Sequence, residues 1–360
     1  MKRFSGEHVA VAGLFSTSTG LGRAAELVAL TLEHRGHRVS RVNISEALGL
    51  HDAGSDKVFL RPSDCAFLDI SAVVFVINPD HAAPSAFDAE WLLQRCVVGH
   101  WIWELDTAPS FWRHLVVSYD EIWAPTELVA DVIRDNISAS GRPVEVVPYG
   151  VDLDPMPLVT RGQREDSRSR MGLSTVDFVA GYSFAVDSNY YRKNPEDAVR
   201  MFRLAFPSSE DVSARLLLRC KDLANRPAER ARLEGLIGSD PRISIFDAHN
   251  SIGIVDFYAA LDIYVSTSRS EGYGLNLVEA SQAGLAVVTC GWRIAPEITR
   301  RKGVLTTGFE LIKINDPQGH YAGISGARWA APDIQEMADI LTSYRNGRAI
   351  ADSGKAPAKP

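Results

Sequence analysis

One stretch decides the fold: Ile263-Tyr264-Val265-Ser266-Thr267-Ser268-Arg269-Ser270-Glu271-Gly272-Tyr273-Gly274-Leu275-Asn276-Leu277-Val278-Glu279-Ala280. It opens with a strand, continues through a loop that contains two glycines, and ends in a helix that stops at Gly284. Gly272 and Gly274 let backbone N–H groups approach a ligand closely, and the helix start adds partial positive charge. This arrangement suits a bound diphosphate.

The two glutamates of this stretch are candidate ligands for a sugar. Glu271 precedes the helix, whereas Glu279 lies more than one turn inside it. Because Glu271 is in the loop, both carboxylates can point into one site and accept hydrogen bonds from sugar hydroxyls. The stretch therefore predicts a site for a ligand that carries both a diphosphate and a sugar.

Strands and helices alternate on both sides of the stretch, which indicates parallel sheets covered by helices on both faces. The predicted strands are Val9–Gly13, Arg38–Asn43, Ala72–Ile77, Cys96–Gly99, Glu121–Ala124, Val144–Val147, Asp177–Tyr182, Arg215–Cys220, Arg242–Phe246, Asp262–Ser266 and Ala286–Cys290. The predicted helices are Arg23–Arg35, Ala86–Gln94, Thr126–Asn136, Pro195–Ala205, Pro227–Ile237, Ile254–Ala260, Leu275–Ala283 and about Pro332–Tyr344.

The alternation breaks once, after Pro148, and this break divides the chain. We expect a first Rossmann-like domain over residues 1–150, a charged and Pro-rich linker over 151–175, a second Rossmann-like domain over 176–345 and a flexible tail over 346–360. A chain of 360 residues accommodates two domains of this size. Two such units place a ligand cleft between the carboxyl ends of two sheets.

Composition narrows the function classes. A net charge of -7 argues against wholesale nucleic-acid binding. No apolar stretch approaches the roughly 20 residues that span a bilayer, and the first seven residues lack an apolar signal core. The four cysteines form no Cys-x-x-Cys pair, which is typical of buried thiols in a reducing compartment. We therefore expect a cytoplasmic protein.

A second group of candidate residues lies in Tyr190-Tyr191-Arg192-Lys193-Asn194-Pro195, at the start of a predicted helix. Two adjacent cations suit a helix N-terminus poorly, since the macrodipole there favours anions. An anion between them would resolve the misfit. Arg192 and Lys193 are therefore candidates to stabilise a departing diphosphate. Lys221, at the end of a predicted strand, is a further candidate.

Two more segments with candidate residues follow predicted strands in the first half of the chain. Gly99-His100-Trp101-Ile102-Trp103-Glu104 is dense in residues that can stack on sugar rings or orient hydroxyl groups, although aromatic core packing is the plain alternative. His100 fits a functional role by position and Glu104 by chemistry, and both remain candidates. Gly13 to Arg23 is a Gly-bearing loop in which Gly20-Leu21-Gly22-Arg23-Ala24-Ala25 weakly matches a dinucleotide fingerprint.

The spacing Glu-x7-Glu, with Gly-Tyr-Gly-Leu-Asn inside it, resembles retaining glycosyltransferases of family 4, which have the GT-B fold of two Rossmann-like domains facing across a cleft. The segment at Arg192 to Pro195 resembles that family's diphosphate-binding segment, and the Trp-x-Trp-Glu segment resembles a subgroup of it. Val147 to Asp152 resembles the crossover into the second domain, and Trp329 to Asp333 the segment before the last helix. The predicted last helix is shorter than in many relatives.

The resemblance implies residue roles. Glu271 would contact the transferred hexose, Glu279 the donor ribose, and Gly274 and Leu275 would offer backbone amides to the donor. The other donor-binding candidates are Gly272, Tyr273, Asn276, Lys221, Gly20 and Gly22. The catalytic candidates are Glu271, Arg192, Lys193, His100 and Glu104.

The implied reaction moves a hexosyl group from a UDP- or GDP-sugar to a glycan or lipid-linked acceptor, with retention of configuration and with neither cofactor nor metal. Asp152-Leu153-Asp154 has the letters of a metal-binding motif but lies in the linker. Peripheral contact with the inner face of a membrane stays open, because Arg300-Arg301-Lys302 is a small basic cluster without an amphipathic helix. The sequence leaves the oligomeric state undetermined.

Two alternatives remain at this stage. The Gly20–Gly22 loop could serve an NAD-dependent oxidoreductase, but the acidic residue expected at the end of the second strand is missing. A catalytically inactive sugar-nucleotide or glycan-binding protein would share the fold, but it would not need the intact set of two glutamates and two cations.

Overall fold

The computed structural model describes residues 7–50, 58–208, 213–248 and 252–347. It divides into two compact units. The first comprises Met1–Pro155, Glu271–Leu275 and Gly323–Ala327, and the second comprises Met156–Ser270, Asn276–Ala322 and Arg328–Pro360. Most of the tail predicted over 346–360 lies outside the described residues. Within the described part, every helix is too short or too polar to span a lipid bilayer.

The first unit is built on a six-stranded parallel sheet. Its strands are β1 (His8–Gly13), β2 (Arg38–Asn43), β3 (Ala72–Phe75), β4 (Cys96–His100), β5 (Glu121–Ala124) and β6 (Val144–Val146). They lie in the order β2-β1-β3-β4-β5-β6, so the strand order reverses between β1 and β3. All the residues of β1, β3 and β5 are buried, as expected for a parallel sheet that is covered on both faces.

Helices connect these strands. They are α1 (Gly20–His34), α2 (Ala89–Leu93), α3 (Trp112–Leu115) and α4 (Glu127–Ile137). Two of them begin at a threonine whose hydroxyl caps the helix. Thr19 accepts a hydrogen bond from the Gly22 N–H at the start of α1, and Thr126 accepts one from the Val129 N–H at the start of α4.

The second unit has its own six-stranded parallel sheet. Its strands are β7 (Phe178–Ala185), β8 (Ala214–Lys221), β9 (Ile243–Asp247), β10 (Ile263–Ser266), β11 (Ala286–Cys290) and β12 (Val304–Thr307). The order β12-β11-β10-β7-β8-β9 is that of a Rossmann sheet, with its reversal between β7 and β10. Two α/β units with parallel sheets were predicted, and this fold class is confirmed.

The helices of the second unit are α5 (Arg161–Arg170), α6 (Tyr190–Lys193), α7 (Pro195–Ala205), α8 (Pro227–Ile237), α9 (Ile254–Ala260), α10 (Leu275–Gln282), α11 (Pro296–Thr299) and α12 (Ile334–Arg345). An antiparallel hairpin joins β13 (Phe309–Lys313) to β14 (Arg328–Pro332). The sequence does not predict this hairpin, because most of β13 is exposed and shows no sustained apolar alternation.

The segment predicted as a linker contains helix α5. Its sequence is too polar for an apolar period, but Thr160 and Gln163 form a capping box at its start. The side chain of Arg168 is only 3% exposed, and it donates to Asp262 at 2.7 Å and to the carbonyl oxygens of Ala260, Thr175 and Asp177 at 3.0 Å. Buried ionic bonds, and not an apolar stripe, therefore fix this helix.

Candidate functional site

The loops after β7 and β10 are bonded to each other at the point where the second sheet reverses its order. Asn194, in a left-handed conformation with φ of 51°, separates α6 from α7. Its side-chain amide donates to the Thr267 carbonyl oxygen at 3.2 Å, and the Thr267 hydroxyl donates to the Asn194 carbonyl oxygen at 2.7 Å. Ligands of open α/β sheets bind at such a reversal, outside the carboxyl ends of the strands.

Arg192 is buried in these loops. Its guanidinium donates to the carbonyl oxygen of Ser270 at 2.8 Å and to that of Ser188 at 2.6 Å. The Arg192 carbonyl oxygen in turn accepts a hydrogen bond from the Arg269 N–H at 2.8 Å. Arg192 therefore fixes the residue that immediately precedes Glu271.

The predicted conflict between the helix macrodipole and the two cations Arg192 and Lys193 is absent from the structure. Arg192 and Lys193 lie in the last turn of the short helix α6, where the dipole favours cations, and not at the start of α7. Asn194 causes the difference, because its left-handed backbone interrupts the helix. The Lys193 backbone is also held, since its carbonyl oxygen accepts a hydrogen bond from the Tyr182 hydroxyl at 2.7 Å.

Lys221 is the last residue of β8, which extends one residue beyond the predicted strand, and it is buried. It pairs in register with Ala185, the last residue of β7. Parallel pairing therefore places Lys221 at the same sheet edge as the loops that carry Arg192 and Lys193.

Asn276 and Glu279 lie on α10 and are held by hydrogen bonds to Tyr258 and to β7. The Tyr258 hydroxyl donates to the Glu279 carboxylate at 3.4 Å and lies 3.3 Å from the Asn276 carbonyl oxygen. The Asn276 side-chain amide donates to the Ser183 carbonyl oxygen on β7 at 2.8 Å. Burial is the main cause that raises the pKa of Tyr258 above its usual value, so this hydroxyl keeps its proton.

Arg219 is a residue near the site that the sequence analysis missed. Burial lowers its pKa, and the nearby Tyr258, Tyr264 and Glu279 oppose that effect. Its guanidinium donates to the Ile252 carbonyl oxygen at 2.9 Å. The sequence feature that could have indicated Arg219 is its position as the single charged residue in the apolar run Leu216-Leu217-Leu218-Arg219-Cys220.

The loop Glu271–Leu275 groups with the first unit, where it contacts the segment after β4. A Cβ atom on Gly272 would lie 2.6 Å from the Ile102 side chain. The absence of a side chain at Gly272 therefore serves packing. Gly274 is required for a different reason, because its φ of +95° is strained for other residues. The ring of Tyr273 lies 4.8 Å from that of Tyr149.

His100 is buried at the end of β4. Its Nε2–H donates to the Val147 carbonyl oxygen at 2.9 Å, and its ring stacks on Tyr149 at 5.1 Å. Burial lowers the pKa of His100 to about 4, against the opposing effect of the bond to Val147, so the imidazole is neutral at pH 7. Through Tyr149 this histidine is in aromatic contact with Tyr273 of the predicted donor loop.

The neighbouring tryptophans belong to the core. Trp101 and Trp103 are both buried, and both pack edge-on against Trp112, at 5.3 and 5.1 Å. The aromatic-packing alternative is therefore correct for these two rings. Glu104 follows them as a half-buried residue.

The two glycines at the start of α1 differ in what surrounds them. A Cβ atom on Gly22 would lie 2.5 Å from the Thr17 carbonyl oxygen and 2.7 Å from that of Leu14. A Cβ atom on Gly20 would meet nothing within 4 Å. Gly22 is therefore required by close packing of the helix on its loop, whereas Gly20 is not.

The part of the chain that carries the loops after β7 and β10 matches a known protein family. Residues 188–326 match the family model described as glycosyl transferases group 1. The matched range contains Arg192, Lys193, Lys221, Glu271 and Glu279. Residues 188–326 are thus similar to group 1 glycosyltransferases.

Curated relatives give weaker matches over part of their length. A D-inositol 3-phosphate glycosyltransferase of Mycolicibacterium smegmatis is 23% identical over 239 residues, which are 64% of this chain and 46% of that protein. D-inositol 3-phosphate glycosyltransferase 1 of Catenulispora acidiphila is 26% identical over 179 residues, which are 48% of this chain and 41% of the relative. The chain thus spans less than half the length of these two relatives.

Solved structures match over nearly the whole chain. A glycosyltransferase from Rickettsia africae aligns with a TM-score of 0.57 and 15% identity, covering 95% of this chain and 94% of its own. HepE of Anabaena, in complex with UDP and glucose, aligns with a TM-score of 0.58 and 13% identity, covering 94% of this chain and 89% of its own. At such identities the likeness establishes the fold alone, which is that of GT-B glycosyltransferases.

Proposed function

We propose that this chain is a glycosyltransferase that moves a hexosyl group from a nucleotide-diphosphate sugar to a glycan or lipid-linked glycan acceptor. One observation supports the proposal most. Arg192 is bonded to the Ser270 carbonyl oxygen at the reversal of the second sheet, so the residue before Glu271 is anchored where such sheets bind ligands. The match of residues 188–326 to group 1 glycosyltransferases and the UDP bound by HepE support it further.

In this proposal the donor lies along the loops at that reversal. Glu271 accepts hydrogen bonds from the hexose and Glu279 from the ribose, while Gly274 and Leu275 offer backbone amides to the donor at the start of α10. Lys193 and Lys221 balance the diphosphate charge, which grows as the sugar leaves. Arg192 adds positive potential, but its main task is to hold the Glu271 loop, because its guanidinium already bonds two carbonyl oxygens.

The proposed reaction retains the anomeric configuration. The bond from the sugar C1 to the phosphate oxygen breaks, and a bond from C1 to the acceptor oxygen forms on the same face. The acceptor proton passes to the departing phosphate oxygen, so no protein nucleophile is required. The chain's own cations carry the charge stabilisation in this proposal, and no metal is assigned a role.

The proposed binding position of the acceptor is less detailed than that of the donor. We place the acceptor beside His100 or Glu104, since the Gly272 loop packs on the segment between them. The His100 ring is buried, so the half-buried Glu104 is the side chain of this pair that can contact the acceptor directly. A cytoplasmic enzyme that meets lipid-linked acceptors at the inner membrane face fits this proposal, and either UDP or GDP is compatible with it.

The family and structural matches favour this function over an NAD-dependent oxidoreductase. The observed packing gives a non-catalytic reason for one of the fingerprint glycines, because Gly22 is required by contact with the Thr17 and Leu14 carbonyl oxygens. A catalytically inactive sugar-nucleotide-binding protein is the second candidate, and only turnover separates it from the enzyme.

The test is nucleotide release from a panel of UDP- and GDP-hexoses with candidate acceptors. We expect release with at least one donor, and a fall of roughly 100-fold or more in Glu271→Gln and Arg192→Ala. Arg226→Ala is the matched control for Arg192, because Arg226 is 40% exposed and pairs only with the exposed Asp187 in the contacts described.

Three further measurements sharpen the test. Thermal unfolding of each variant separates lost chemistry from lost folding. NMR of the product's anomeric proton tests retention, and chelator treatment tests metal independence. Full activity in both Glu271→Gln and Arg192→Ala would refute the site assignment, whereas donor binding without turnover would favour the inactive binding protein.

A further inference from the structure

The second unit holds a cavity that the proposed reaction does not use. Its volume is about 300 Å³, and it lies between the α6–α7 segment, α8 and the β13–β14 hairpin. Its lining includes the aromatic residues Tyr190, Tyr191 and Trp329 and the polar residues Glu196, Arg232 and Asn315. The volume is at the lower end of the range for small-molecule sites, about 300–1,000 Å³, so it suits one ring and not a whole nucleotide sugar.

Aromatic side chains form one part of the lining. Trp329 and Tyr190 are almost fully buried, so their rings are held in place by packing. Tyr191 packs edge-on against Tyr190 at 5.4 Å. Arg269 lies over the Trp329 ring at 5.8 Å. Tyr191 is half-buried on the support of these fixed rings, so its ring is the one of the three that can meet the apolar C–H face of a sugar.

Charged groups form the other part, and they are paired. The Glu196 carboxylate accepts hydrogen bonds from Arg200 at 2.9 Å and from Arg232. Arg269 lies 3.6 Å from Asp197. Three guanidinium groups therefore face two carboxylates within the cluster, and Asp316 adds a third negative charge close to Tyr191.

This balance argues against an anionic ligand, because a bound anion would have to compete with carboxylates that already hold the arginines. A neutral ligand that both donates and accepts hydrogen bonds fits better. Arg232 is 57% exposed and the Asn315 side chain is exposed, so both can reach such a ligand. Their planar groups match pairs of neighbouring hydroxyls.

We propose that this cavity binds one neutral hexose unit of a glycan, at a site distinct from the one proposed for the donor. The cavity adjoins those loops through its own lining. The Arg269 side chain donates to the Tyr191 carbonyl oxygen at 3.2 Å, and its backbone N–H donates to the Arg192 carbonyl oxygen at 2.8 Å. A glycan held here would therefore contact the back of the segment that carries Arg192. That the glycan is also the acceptor's distal part rests on the proposed function, whereas binding itself does not.

Saturation-transfer NMR with methyl α-glucoside, methyl α-mannoside and methyl α-galactoside tests the site, with glucuronic acid and glucose 1-phosphate as anionic comparators. Spectra are also recorded on Glu271→Gln, because a hexoside in the proposed donor site would lose its hydrogen bonds to this residue, whereas a hexoside in the cavity would not. We expect binding of at least one neutral hexoside that Glu271→Gln leaves unchanged. Asn315→Leu and Arg232→Ala should each weaken it about tenfold or more.

Arg230→Ala is the matched control and should leave binding unchanged, because Arg230 lies on the same helix and pairs with the exposed Glu234. Asn315→Leu keeps the test valid if Arg232→Ala unfolds, since Asn315 is exposed. Absence of hexoside binding, tighter binding of the anions, or equal binding in parent and Asn315→Leu would overturn the proposal. Nucleotide release measured on the same samples tests the proposed function separately, because the NMR experiment needs no turnover.

Discussion

The buried His100 makes a testable prediction about pH and stability. Its pKa is lowered from 6.5 to about 4 in the folded chain, with burial as the main cause. The unfolded chain therefore binds more protons than the folded chain between these two pH values, and folding stability must fall as the pH falls through them. The perturbation that isolates this effect is His100→Gln, which removes the titration but keeps an N–H donor for the Val147 carbonyl oxygen.

The magnitude follows from the two pKa values. Their difference is 6.5 minus 4, or about 2.5, and each pKa unit corresponds to about 1.4 kcal/mol. His100 thus contributes a total of about 3 kcal/mol to the pH dependence of the free energy of unfolding, and about 2 kcal/mol of this is lost between pH 7 and pH 5. The variant also loses ring packing on Tyr149, but that loss is the same at both pH values.

The assay is urea unfolding of parent and His100→Gln at pH 7 and pH 5. We expect the parent to lose about 2 kcal/mol more than the variant between these two pH values. Every other titrating group is common to both proteins, so it cancels in this difference. Equal losses in both proteins would show that His100 is not buried as a neutral imidazole and would refute the reasoning.

Three further predictions follow from packing. Gly22→Ala should destabilise the fold by about 1–3 kcal/mol through its carbonyl contacts, whereas Gly20→Ala should change stability by less than about 1 kcal/mol; urea unfolding compares the two. Arg168→Met should cost about 3–5 kcal/mol because it leaves buried acceptors unpaired, whereas Arg161→Met, at a position 91% exposed, should cost less than about 0.5 kcal/mol; a loss of similar size in both would contradict the role of Arg168. Iodoacetamide at pH 8 should label the three buried cysteines only after unfolding, because burial also raises their pKa; rapid labelling of more than one thiol in the folded protein would contradict this.

The sequence predicted the sheets well because most of their strands contain an apolar run. The predicted bounds of Arg38–Asn43, Glu121–Ala124 and Ala286–Cys290 match the observed strands, and helices Pro195–Ala205 and Pro227–Ile237 match as well. Elements without an apolar pattern were missed. Helix α5 is polar and depends on Arg168, and β13 is mostly exposed, so neither produces a period that a sequence can reveal.

The candidate site divides in the same way. The sequence by itself determined the strand–loop–helix stretch around Glu271 and Glu279, because local chain propensity and glycine placement are encoded within a few residues. Only the tertiary structure showed that Arg192 donates a hydrogen bond to the Ser270 carbonyl oxygen. It also showed that Ile102 occupies the space that a side chain at Gly272 would need. These contacts join segments 78 and 170 residues apart in the chain. The first contact depends on β7 and β10 lying side by side in one sheet, and the second joins loops that follow strands of different sheets. Neither arrangement is written in a local pattern of the sequence.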